Sequence, residues 1–158
     1  MNYSFKYVSV DNYILKYTDK DGKDKELPFT RTVEIATKLQ GIVAKARLKM
    51  FKELSSQGFT KNDLIIKVIN KDGTISYDET NYREYEKYYM ELEGALTLDE
   101  VVKDCFNMSI SELLVDMGVD PNTTDEEVTS KVLAFSEKFS AIIGGKDNPP
   151  SDSTSDKE

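Results

Sequence analysis

The chain has 158 residues, enough for one domain with its own core, and 39% hydrophobic against 32% charged residues mark a globular rather than a disordered polypeptide. A formal charge of −8 opposes long-range attraction to nucleic acid or to an anionic membrane surface. Histidine is absent, and the single cysteine, Cys105, allows neither an intrachain disulfide nor a multi-cysteine zinc site, so the usual acid–base side chain and the usual transition-metal ligands are missing.

Cys105 lies in an apolar stretch and reads as an inert core residue. The N-terminus carries no apolar run of signal-peptide length, and no segment approaches the roughly 20 apolar residues that span a bilayer. A cytoplasmic protein without a membrane partner is therefore expected.

The first element is a β-hairpin. Residues 13–17 are β-prone, residues 26–29 follow, and Asp21-Gly22 between them favours a turn with positive φ. Pro28 cannot donate to a strand ladder, which places the second strand at an edge or ends it early. An alternating stretch over 3–10 offers a third strand. Next, Ala36, Leu39, Val43, Ala46, Met50 and Leu54 recur at steps of three or four and predict one long helix over 32–57, closed by Gly58 in a left-handed cap. Lys38, Lys45, Lys49 and Lys52 fall on the opposite face and read as solvated. Arg47 lies beside Val43, Met50 and Leu54, where a guanidinium needs a carboxylate partner or an exposed seam.

The β-branched run at 64–69, the turn-forming Asn70-Lys71-Asp72-Gly73-Thr74 and the segment 75–77 predict a second, short hairpin. A helix over 60–69 is the rival. Helical periodicity resumes near Thr80 with Tyr82, Tyr85, Tyr89, Leu92 and Leu96. Gly94 weakens it, and the capping-box spacing of Thr97 and Glu100 predicts a restart over 98–106. Ser109 with Glu112 opens a short helix that Gly118 closes, and Pro121 follows in a turn. Thr124 with Glu127 opens the last helix, whose stripe is Val128, Val132, Phe135, Phe139 and Ile142, ended by Gly144-Gly145. The expected architecture is α+β: a mainly helical single domain over 1–145 with an N-terminal β-hairpin, then a disordered acidic tail over 146–158.

Sites for chemistry are scarce. No glycine-rich run precedes a Lys-Ser or Lys-Thr pair, so no phosphate-binding loop is expected. Asp19-Lys20-Asp21-Gly22 with Asp24 and Glu26 looks like a calcium loop, but its glycine is fourth rather than sixth and its flanks are strands. Asp99, Glu100, Glu126 and Glu127 sit at helix starts, where the helix dipole accounts for them. No catalytic residue, metal ligand or cofactor is assigned. What remains are surfaces. Tyr82, Tyr85, Tyr88 and Tyr89 crowd two helical turns, Phe135 and Phe139 form a second aromatic stripe, and Arg47 interrupts an apolar face. These are the candidate protein-interaction residues, with burial in a core as the competing reading for the two aromatic stripes.

The run from Asp21 through Leu27-Pro28-Phe29-Thr30-Arg31 to Glu34, leading into Ala44-Lys45-Ala46-Arg47-Leu48-Lys49-Met50, has a particular phrasing. So has Ile110-Ser111-Glu112-Leu113-Leu114-Val115-Asp116-Met117-Gly118 ahead of a final helix and a Pro/Ser/Asp tail. Over about 12–145 the chain resembles the tail assembly chaperones of long-tailed phages and prophages of Gram-positive bacteria. The resemblance implies a mostly helical protein with a small β element that self-associates as a homo-oligomer in the host bacterial cytoplasm. It implies that the chain coats the phage tape-measure protein until tail tube protein replaces it, and that it is absent from the mature virion. It carries over no residue roles. Gly144-Gly145-Lys146 can be encoded as GGG-GGA-AAR, which contains a heptamer suited to the minus-one slip by which this family often makes a longer product. Two rivals stand beside this reading: a structural minor tail or head–tail connector protein, and an acidic DNA-mimic inhibitor of a host nuclease. The second needs a double row of carboxylates, whereas acids and lysines are interspersed at 20–26 and 84–87.

Overall fold

The structure, a computed structural model, describes residues 1–145; the acidic tail expected over 146–158 lies outside them. The described residues are α+β and mainly helical. The chain gathers into two compact units, one of Met1–Gln40 with 97–145 and one of Gly41–Leu96.

In the first unit, strands β1 (Tyr3–Ser9), β2 (Asn12–Thr18) and β3 (Asp24–Thr30) form an antiparallel sheet in the order β1-β2-β3. The expected third strand is thus present, and Pro28 sits on an edge strand, where a missing amide is tolerated. Gly22 takes the anticipated positive φ of 83°. The register sets Phe5 opposite Leu15, Leu15 opposite Leu27 and Tyr13 opposite Phe29. Because side chains alternate with a period of two, this pairing collects the large residues on one face. That face meets Ile35 of α1 (Val33–Gln40), Val101, Val102 and Phe106 of α3 (Thr80–Phe106), Leu113 of α4 (Ile110–Asp116) and the apolar stripe of α5 (Glu126–Ile143). The ring of Phe5 lies 5.6 Å from Phe135, and Phe29 lies 5.7 Å from Phe139.

Local chemistry sets the ends of α4 and α5. Ser109 Oγ accepts from the Glu112 amide at 3.1 Å while the Glu112 carboxylate accepts from the Ser109 amide at 2.8 Å, the reciprocal cap read from the spacing. For α5 the cap moves by one residue. Asp125 accepts from the Glu127 amide at 2.9 Å in place of Thr124, a carboxylate being the better acceptor at the positive end of a helix dipole.

In the second unit, α2 (Ile42–Ser56) packs Ala46, Met50 and Leu54 inward, and Met50 and Leu54 cluster with Tyr82 of α3. The long helix expected over 32–57 is therefore two, α1 and α2, parted at Gly41. Glycine has the largest backbone entropy to lose in a helix, which makes it the weakest point of that stretch. Gly58 closes α2 at a φ of 82°, with the Phe59 amide donating to Leu54 O and the Gly58 amide to Ser55 O. The second hairpin is present as β4 (Ile66–Ile69) and β5 (Ile75–Asp78), preceded by a 3-10 turn at Lys61–Leu64. The rival helix over 60–69 is limited to that one turn.

The break expected near Gly94 does not occur, and α3 runs unbroken through it. A single mid-helix glycine costs about 1 kcal/mol. Thr97 is buried within the helix rather than serving as a cap.

Candidate protein-interaction surface

The second unit buries little and exposes much. Most of the large hydrophobic side chains exposed among the described residues fall within Gly41–Leu96: Leu48, Phe51, Phe59, Ile69, Tyr77, Tyr88 and Leu96 are examples. Every residue of β4 and β5 is exposed. The β4–β5 register places Ile69 opposite Ile75 and Lys67 opposite Tyr77, so one face of the hairpin carries Ile69, Ile75 and Tyr77. Ile69 is 72% exposed and Tyr77 63%. This largely apolar face, which also carries Lys67, is a candidate contact surface.

The four tyrosines of α3 divide. Tyr82 is only 5% exposed, sealed against Met50 and Leu54, and its hydroxyl points to Glu86 Oε2 at 3.4 Å. It is a core residue and leaves the set of interaction candidates. Tyr85 and Tyr88 are exposed, and Tyr89 is half-buried. Tyr85 stacks on Tyr89 with centroids 6.5 Å apart, and Tyr88 meets Tyr89 edge-on at 5.2 Å. Burial, then the nearby Glu53 charge, raises the Tyr89 phenol above its ordinary pKa and keeps it neutral. With Glu53 of α2, Gln57 just beyond it, Leu64, and Asn81 and Glu84 of α3, these three rings line an open cleft of about 560 Å³.

Phe135 and Phe139 are both 0% exposed, locked among Phe5, Phe29 and Phe106 beneath the sheet of the first unit. They too are core residues, because the inner face of the sheet supplies the apolar partner their stripe needs. Arg47 finds the carboxylate it required: its Nε donates to Glu86 Oε2 at 2.8 Å. A second ion pair joins the same two helices, Lys49 to Glu93. Both carboxylates are shielded, with side-chain exposures of 9% and 7%. Lys49 stays on the exposed face while reaching Glu93, and half-buried Lys38 pairs with Asp104 at 2.7 Å and lies 3.6 Å from Glu100.

Leu48, Phe51 and the hairpin residues Ile69, Ile75 and Tyr77 escaped the sequence reading. Leu48 and Phe51 lie off the stripe of Ala46, Met50 and Leu54, and that displacement was the available signal. A four-residue strand shows no alternation long enough to reveal which side is covered.

One polar cluster in the first unit deserves a chemical accounting. Asp116 accepts from the Tyr17 hydroxyl at 2.5 Å and from Lys25 Nζ at 2.8 Å, and Lys25 also lies 3.4 Å from Asp19. Asp19 Oδ1 accepts from the backbone amides of Asp21 and Lys23, each at 2.8 Å. The loop that resembled a calcium site thus directs its first carboxylate to its own backbone. Burial, then the hydrogen bond to Asp116, pushes the Tyr17 phenol up to about 12. Lys25 and Tyr17 hold Asp116 below the usual carboxylate range. Every member is satisfied by its neighbours, and the cluster ties β2 and β3 to the end of α4.

Among the described residues no group of three or more Cys, Asp or Glu side chains is placed to hold a metal ion, and no helix is long and apolar enough to cross a membrane. Comparison with protein-family models, with curated proteins and with solved structures finds no match.

Proposed function

We propose that this chain is a tail assembly chaperone of a long-tailed phage or prophage. It holds the tape-measure protein by reversible contact in the host cytoplasm until tail tube subunits take its place, and it associates with copies of itself. The observation that carries the reading is the concentration of outward-facing apolar side chains in Gly41–Leu96. A temporary coat for a long amphipathic helix needs such a face and needs no reaction centre. The resemblance of the runs at 21–34, 44–50 and 110–118 supports the family reading, as does a mainly helical chain with small β elements. The hairpin supports the self-association. Two strands alone are marginal in water, and β4 and β5 offer open edges and an apolar face that a second copy would cover.

Co-expression with the tape-measure protein encoded in the same tail module tests the proposal. The long protein is expected in the soluble fraction with this chain and in inclusion bodies without it. Equal solubility in both cases removes the proposal. Mass spectrometry of purified particles separates a chaperone from a structural tail component: the chaperone is missing from finished virions.

A further inference from the structure

The cleft in the second unit has a chemistry more specific than grease. Its lining includes Tyr85, Tyr88 and Tyr89 together with Glu53 and Glu84. Aromatic faces present the negative lobe of the ring quadrupole, so a cation over them is attracted even without a formal counter-charge. Two carboxylates in the same lining add to the same sign of potential. Among the described residues Glu53 and Glu84 pair with no lysine or arginine; Glu53 receives only the Gln57 amide, at 3.2 Å. This sets them apart from Glu86 and Glu93 on the same helix, whose charges are taken up by Arg47 and Lys49. The unit already holds a cation over a tyrosine, Lys61 Nζ lying 5.0 Å from the Tyr82 ring centroid.

From the cleft an apolar stripe continues along α3. Tyr85, Tyr88, Leu92 and Leu96 are all exposed and step by three, four and four residues, the spacing with which one helix receives another.

We infer that this cleft is a socket for the side chain of an arginine carried on an amphipathic helix of a partner protein, whose apolar face lies along Tyr88, Leu92 and Leu96. Arginine suits the site better than lysine, because its planar guanidinium stacks on tyrosine while its N–H groups reach the two carboxylates. The inference rests on the reading above that this face receives a partner protein, and it names what the partner brings.

The test uses the full chain and two synthetic helical peptides with the same leucines at steps of three and four. One has an arginine a turn beyond the last leucine; its twin has citrulline there, similar in shape but uncharged. Calorimetric titration at low salt is expected to show the arginine peptide binding about tenfold tighter, within the range of a cation on aromatic rings reinforced by charge. The ratio should fall toward one in the double variant Glu53→Gln with Glu84→Gln, and fall by about half in Tyr88→Leu, which keeps the stripe and removes a ring. It should also shrink as salt is raised on the unaltered chain, a readout independent of any variant's folding. Equal affinity for the two peptides, binding of neither, or a ratio indifferent to salt overturns the socket. A chain that prefers the arginine peptide but leaves the tape-measure protein insoluble keeps the socket and loses the chaperone reading; the reverse pair of results does the opposite.

Discussion

Asp116 joins two hydrogen-bond donors, the Tyr17 hydroxyl and Lys25 Nζ. Its carboxyl titrates below its ordinary value in the folded chain, so in acid the unfolded chain binds more protons than the native one. The stability it contributes is complete above about pH 4 and is lost as pH falls through the lowered pKa. Tyr17 works in the opposite direction: its raised pKa contributes stability that is present below 10 and lost as pH climbs toward about 12. Asp116→Asn should therefore weaken the fold by about 1–3 kcal/mol at neutral pH and flatten the acid limb of a stability–pH profile measured by urea unfolding. A variant as stable as the parent at pH 7 would show the cluster to be ornamental. Cys105 offers a separate readout. Half-buried against the first core, its thiol is pushed up to about 12, chiefly by desolvation. Alkylation by iodoacetamide at neutral pH should be slow in the native chain and accelerate many-fold in denaturant; fast labelling without denaturant would contradict the burial.

At the scale of the elements, two glycines predict opposite outcomes. Gly58 ends α2 at a φ of 82° with open space around its missing Cβ, so Gly58→Ala should cost about 1 kcal/mol through backbone strain alone. Gly94 lies inside α3, also with open space, and Gly94→Ala should stabilise by a similar amount in thermal unfolding. If both substitutions move stability in the same direction, one of these backbone accounts fails. The pair also shows what was legible. Gly58 was readable as a cap because the signal is local, a glycine just past the last apolar step. Gly94 reads as a break in sequence, but the helix around it is held from outside its own sequence. Tyr82 is buried in one cluster toward its start, and Val101, Val102 and Phe106 in another toward its end. The same reasoning covers the aromatics. Tyr82, Tyr85 and Tyr88 are chemically alike, and only the placement of Met50 and Leu54, about thirty residues earlier in the chain, decides which ring is covered. Strands β1 to β3 were the easiest elements to read, since Tyr13, Leu15 and Tyr17 alternate where one face alone is buried.

For the molecule as a whole, exposed apolar surface in Gly41–Leu96 predicts association that grows with concentration. Ile69→Lys with Tyr77→Lys on the hairpin should lower the mean mass seen in sedimentation equilibrium and leave the unfolding midpoint nearly unchanged, because neither side chain supports a core. A midpoint that drops sharply would mean the hairpin is structural. The pairing of α2 with α3 bears on how such a surface can be used. Sliding one helix a turn along the other would carry the shielded carboxylates of Glu86 and Glu93 away from Arg47 and Lys49; both cations are half-exposed and Arg83 lies 3.7 Å from Glu86, so the cost falls short of that of breaking a fully buried pair. The two pegs fix the alignment of the platform before anything lands on it. On the proposed function, a partner would meet a surface whose shape is already decided and would lose little ordering entropy on arrival.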